Sequence, residues 1–125
     1  MAFAAKSEEA GRPSAGDPIL ARQPEEPAID LVHLARQTLG DAVLEREILA
    51  LFSTQLRSVA DGLGTAGGRD HGFLVHGLKG TARSVGAFAV ARACSVLEER
   101  GDAASLAALM ERIAEAKAFA DRLLA

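Results

Sequence analysis

The chain has no Tyr and no Trp, one Cys, and no Pro beyond Pro27. Each absence excludes something. Without Tyr or Trp, and with only five Phe, it lacks the aromatic platforms on which single-stranded nucleic acid stacks. A lone thiol, Cys94, forms no intramolecular disulfide and is too little for a structural zinc site, which points to a reducing compartment. No uncharged apolar stretch approaches the roughly 18–20 residues that span a bilayer. The start, "MAFAAKSEEAGRPSAG", has neither a basic leader nor an apolar run of secretory length. The formal net charge is -3 and like charges run no longer than pairs. That leaves no electrostatic footprint for nucleic acid or an anionic membrane surface. A cytoplasmic protein is the resulting expectation.

All four prolines, Pro13, Pro18, Pro24 and Pro27, fall in an opening segment that also holds Ser, Gly and the acidic pairs of "SEEA" and "PEEP". Such a segment buries little apolar surface, so residues 1–28 are expected to be a disordered tail. Residues 29–125 carry no alternating β-branched runs and no hairpin dipeptides. They are expected to form one all-α domain.

Five helices can be drawn. The first, 30–39, starts at Asp30 and stops at Gly40; the second, 41–63, starts at Asp41. The stripe of the second is Leu44, Ile48, Leu51, Phe52, Leu56, Val59 and Leu63. A glycine-rich break, "GLGTAGG", covers 62–68. The third helix, 70–85, starts at Asp70 and stops at Gly86; the fourth, 87–100, stops at Gly101. The fifth, 103–124, repeats Leu106, Leu109, Ile113, Ala116, Ala120 and Leu123 at alternating steps of three and four. Short connections make consecutive helices antiparallel neighbours. The expected fold is an antiparallel four-helix bundle with a short additional N-terminal helix.

The third helix, "DHGFLVHGLKGTARSV", spends glycine where alanine would be better by about 1 kcal/mol. On a helical wheel its core side is Leu74, Leu78, Thr81, Ala82 and Val85, flanked by Val75 and Phe73. The opposite side carries Gly72, His76, Lys79, Gly80 and Arg83. Gly72 and Gly80 lie four residues before and after His76, so both neighbouring turns on its face lack a side chain. Gly77 adds further clearance. Lys79 and Arg83 would attract an anion placed on His76 and disfavour the imidazolium, which favours a neutral, nucleophilic ring. A neutral imidazole with steric clearance and adjacent positive charge suits acceptance of a phosphoryl group on nitrogen. Three plainer explanations compete: a solvated surface histidine, a solvated Lys/Arg face, and small residues that let two helices pack closely. His33 and His71 lack such surroundings and are taken as structural or incidental. His71 and His76 are five apart and make no i, i+4 metal pair.

The stretch "HGLKGTARSVGA" closely resembles the signature of histidine-containing phosphotransfer domains, H-x-L-K-G-[ST]-[SA]-x-x-x-G-A. His76, Leu78, Lys79, Gly80, Thr81, Ala82, Gly86 and Ala87 match in register. The lead-in "IDLVHLARQTLGDAVLEREILALF" is also similar to the opening of bacterial domains of this kind, so the resemblance covers about residues 29–125. It implies a four-helix bundle, His76 as phosphoryl acceptor through Nε2, Lys79 as electrostatic support, and Gly80 as the small residue admitting a partner. The family pattern does not demand Gly72; from their place on the His76 face, Gly72 and Arg83 are also expected at the partner contact. Ala82 stands where serine is often found. The implied partners are response-regulator receiver domains and a hybrid histidine kinase. No cofactor is implied for this chain; the aspartate and Mg2+ belong to the receiver. "GTAGG" lacks the lysine of a phosphate-binding loop, so the chain is expected to be a monomeric carrier without kinase activity of its own. Two other readings remain: a bundle that docks a receiver or kinase and inhibits or scaffolds without transfer, and an ATP-using dimeric phosphotransferase, which needs two chains to build its bundle.

Overall fold

A computed structural model describes residues 26–65 and 71–125. Its five helices are α1 (Leu31–Gln37), α2 (Ala42–Leu63), α3 (His71–Val85), α4 (Phe88–Arg100) and α5 (Ala103–Leu124), with no strand among the described residues. Three aspartates act as N-caps, Asp30 and Asp41 as expected and Asp102 in addition. Asp30 accepts from the backbone N–H groups of Val32 and His33, Asp41 from that of Leu44, and Asp102 from that of Ser105. The cap expected at Asp70, like residues 66–68 of the glycine-rich break, lies outside the described residues. Gly62 and Leu63 belong to α2, which ends at Gly64.

The four long helices close on one another. α2 packs on α3, α3 on α4, α4 on α5, and α5 back on α2, while α1 packs on α3. Adjacent members run antiparallel. Arg46, near the start of α2, donates to the carbonyls of Leu123 and Leu124 at the end of α5. Val96 of α4 clusters with Ala108 of α5 across the Gly101–Asp102 turn. Phe52, Leu56, Leu78, Cys94, Leu109 and Ala120 lie at the centre of the core, each at most 1% exposed.

Several stripe residues were misplaced by the wheel. Leu51 is 72% exposed and Leu44 and Leu123 are also open to solvent, whereas Leu49 and Ser53 are buried. Leu49, Phe52 and Leu56 anchor the stripe of α2 at steps of three and four, and Ser53 joins it four residues after Leu49 and three before Leu56; Leu51 is turned about 100° from Phe52 in the other sense, away from Leu49 and Leu56. Phe73 is 82% exposed, so it lies outside the core side of α3.

One glycine is required by the fold. Gly86 has φ +95°, and a Cβ there would lie 2.8 Å from the carbonyl oxygen of Asp30. The Asp30 N–H donates to the Gly86 carbonyl at 2.9 Å, which ties the entry of α1 to the end of α3. At Gly62 a Cβ would meet Leu74 Cδ1 at 2.6 Å, so the α2–α3 approach is close there.

Residues 26–28, expected to be tail, are placed against the bundle. Glu26 makes a two-pronged ion pair with Arg92 of α4 at 2.5 and 3.1 Å. Pro27 and Ala28 line a groove together with Glu115, Phe119 and Arg122 of α5, and Ile29 is fully buried. The rest of the expected tail, 1–25, lies outside the described residues.

Candidate functional site

α3 buries Val75, Leu78, Ala82 and Val85 against the bundle. Its opposite side is an exposed strip of Gly72, Phe73, His76, Gly77, Gly80 and Arg83. His76 projects from the middle of that strip with its side chain 77% exposed. A Cβ added at Gly72, Gly77 or Gly80 would meet nothing within 4 Å. These glycines therefore admit no neighbouring helix, and the close-packing explanation for their spacing fails. They keep the turns beside His76 empty on the solvent side.

Lys79 is not on the open strip. Its side chain is 17% exposed and leans across to α4, where Nζ donates to Glu98 Oε1 at 2.5 Å. The other oxygen, Oε2, lies 3.4 Å from His76 Nδ1. Glu98 thus joins the histidine and the lysine. Lys79 holds the Glu98 carboxyl below the usual carboxylate range by hydrogen bonding, opposed by partial burial and assisted by His76. An ionised carboxylate only accepts, so the bond to Nδ1 requires a proton there. In the neutral ring that leaves the lone pair on Nε2, the nitrogen remote from α4.

Glu98 is the site residue that sequence reasoning missed, and it alters the expected electrostatics. The two cations were expected to act on the ring by themselves; an anion stands between one of them and the ring. A signal was available. The α3–α4 hairpin folds about Ala87, and Glu98 lies as far after it as His76 lies before it.

Beside Glu98 opens a groove of about 420 Å3, lined by His71, Gly72, Val75, Leu97 and Leu106 among others. His71 Nε2 is buried there without a hydrogen-bond partner. His33 is structural: its Nε2 lies 3.1 Å from the Ser84 carbonyl, and its ring meets Phe88 edge-on at 5.1 Å. Beneath the site Cys94 is fully buried; desolvation and then Glu98 push its thiol up to about 12, so it stays protonated. Among the described residues no group of three His, Cys, Asp or Glu could hold a metal ion, and no helix is long and apolar enough to cross a membrane.

The family model of the Hpt domain matches residues 47–125, more than half of the chain. The chain belongs to the Hpt domain family. Hpt domains are helical bundles that carry phosphoryl groups in two-component phosphorelays, working with receiver domains and histidine kinases. The matched span holds α3, α4 and α5 complete and begins within α2, so α1 and residues 29–46 lie outside it. No curated protein and no solved structure matches the chain.

Proposed function

We propose that this Hpt domain is an intermediate of a multistep phosphorelay, in which His76 accepts a phosphoryl group from the phospho-aspartate of one receiver domain and yields it to the aspartate of another. The observation that carries this reading is the exposure of the His76 ring between glycines whose outward side is empty, with a lysine held one turn away. A receiver can bring its aspartyl phosphate up to Nε2 without displacing a side chain. Lys79 supplies a cation for the phosphoryl oxygens, and Arg83, two turns from His76 on the same strip, extends the positive side. Gly72 and Gly80 provide clearance for the partner's surface. Phe73, exposed one turn before His76, offers a large apolar contact to the docked partner.

The phospho-aspartate and its Mg2+ come from the receiver, and a hybrid histidine kinase supplies the phosphate upstream. The carrier acts as a monomer, since its four long helices complete a bundle within one chain. It works in the cytoplasm, in keeping with a single buried thiol. It does not phosphorylate itself from ATP.

Incubation with radiolabelled phospho-receivers from the same cell tests the reading. Label should move to this chain and from there to a second receiver. Binding that protects the phospho-receiver, with no label on this chain, would instead establish the inhibitory docking role. Label taken directly from ATP would establish an independent phosphotransferase.

A further inference from the structure

His76 lies between two grooves on the α3–α4 seam, and their charges are opposite. The groove toward Gly101 carries Glu98 and Asp102, and no Lys or Arg among the described residues. The groove toward Phe88, of about 310 Å3, is lined by Arg83, Phe88, Ala91, Arg92, Ser95 and Val96, with no Asp or Glu among the described residues. We propose that this second groove seats an acidic segment of the docked receiver, with a Glu or Asp carboxylate on Arg83 beside an apolar side chain, and that Arg83 thereby selects which receivers exchange phosphate with His76. The proposal rests on the reading of His76 as the accepting residue.

One of the groove's two arginines already holds a carboxylate. Glu26 meets Arg92 with both oxygens, at 2.5 and 3.1 Å. A guanidinium takes a carboxylate in this forked way because its planar N–H groups match the two oxygens. Arg83 has the same fork, is exposed, and makes no hydrogen bond or ion pair with the described residues. It is the cation left for a partner. Next to it Phe88, Ala91 and Val96 give the groove an apolar wall. A bare anion would leave that wall wet, whereas an acidic residue with an apolar neighbour covers both parts. A polyanion is a poorer fit, because the chain as a whole carries a net charge of -3 and repels it beyond the two arginines.

Position ties the groove to the transfer site. Arg83 stands seven residues after His76, about 10.5 Å along the helix axis. Gly80 lies between them, and a Cβ there would meet nothing within 4 Å. One partner surface can therefore run from His76 to Arg83 unobstructed, holding its phospho-aspartate at Nε2 and a carboxylate on the guanidinium at the same time. The acidic groove beyond His76 adds direction. A receiver turned end for end would set that carboxylate against Glu98 and Asp102, where like charges repel.

Transfer from a phospho-receiver that loads this chain, run beside loading from a small phosphoramidate donor that needs no docking, tests the proposal on the full chain. Arg83→Glu should raise the receiver concentration at half-maximal transfer by about tenfold or more, acting there rather than on the maximal rate. Added salt should slow wild-type transfer more than transfer by this variant. Arg83→Lys should recover part of the loss. The loss with the small donor should be far smaller than the loss with the receiver. Exposed Asp and Glu residues of the receiver, changed to Lys one at a time, should include one whose reversal restores transfer to Arg83→Glu. Equal half-maximal concentrations for wild type and Arg83→Glu overturn the proposal. So does an equal loss with both donors, which would put Arg83 on the phosphoryl group, and so does a receiver series in which no reversal restores transfer. If the small donor leaves His76 unmodified, the acceptor reading fails, and receiver binding followed by chemical shifts in wild type and Arg83→Glu still decides whether Arg83 recognises an acidic surface.

Discussion

Lys79 and Glu98 meet at 2.5 Å across the α3–α4 hairpin, so the lysine is held beside His76 before any phosphate arrives. Its side chain is largely covered, which limits both its rotamers and the water that screens it. Lys79→Ala should leave the nucleophile intact and the domain folded, but slow transfer. A charge-assisted bond of this kind contributes about 1.5–3 kcal/mol. Transfer from a phospho-receiver should therefore fall by roughly ten- to a hundredfold, read from single-turnover rates.

Three carboxylates link stability to acid. Glu98 is held below its usual range first by Lys79, Asp102 by Ser105, and Asp121 by Lys117 and then Ser53. A group with a depressed folded-state pKa contributes stability that is fully present above its unfolded value and lost as pH falls through the folded one. The melting midpoint should thus be insensitive to these groups at neutral pH and decline below about pH 4. Asp121→Asn, which weakens the α2–α5 link through Ser53, should lower the neutral midpoint slightly and flatten the acid decline. An unchanged acid limb in that variant would remove Asp121 from the account.

Two glycines of α3 and its end should respond oppositely to alanine. At Gly80 a Cβ meets nothing, so Gly80→Ala should stabilise the domain by up to about 1 kcal/mol. Transfer should nonetheless weaken, and more so in Gly80→Gln, whose side chain reaches into the space beside His76. At Gly86 the backbone has φ +95° and the Asp30 carbonyl blocks a Cβ, so Gly86→Ala should destabilise by about 1–3 kcal/mol. Denaturant midpoints and transfer rates separate the two. Normal transfer by Gly80→Gln would contradict the clearance argument.

These contrasts mark how far the sequence alone could be read. The helix bounds were legible because Asp30 and Asp41 cap their helices as short polar side chains do, and Gly86 and Gly101 stop theirs. Most of the exposed face of α3 was legible because Gly72, His76, Gly80 and Arg83 are local in the sequence; Phe73 proved to belong to it, and Lys79 leaves it for Glu98. Glu98 was not, because "LEER" offers three charged residues in a row and only the packing of α4 on α3 selects one. Leu51 and Leu49 were exchanged for a similar reason: α2 is rich in apolar residues, and the side that meets α3 and α5 is chosen by the bundle. Pro27 suggested the end of a tail, but the Glu26–Arg92 pair is formed by residues far apart in the chain, beyond the reach of local composition.

That pair sets where the domain can be trimmed. Removal of residues 1–25, which lack core-forming periodicity, should leave melting and transfer unchanged. Removal of residues 1–28 also deletes Glu26 and should lower stability by about 1 kcal/mol or less, since Arg92 is partly exposed. The cost should shrink in high salt. Equal melting of the two truncations would show that Glu26 contributes nothing to the fold.

The most direct measurement is the identity of the residue that carries the label after incubation with a cognate phospho-receiver. Wild-type protein should carry phosphate that is labile in acid and stable in alkali, as a phosphoramidate is. His76→Gln should carry none while melting normally, because the replaced side chain stands in solvent. His33→Gln and His71→Gln should still accept label. Label that persists on His76→Gln, or disappears from His71→Gln, would place the phosphoryl group elsewhere and contradict the account.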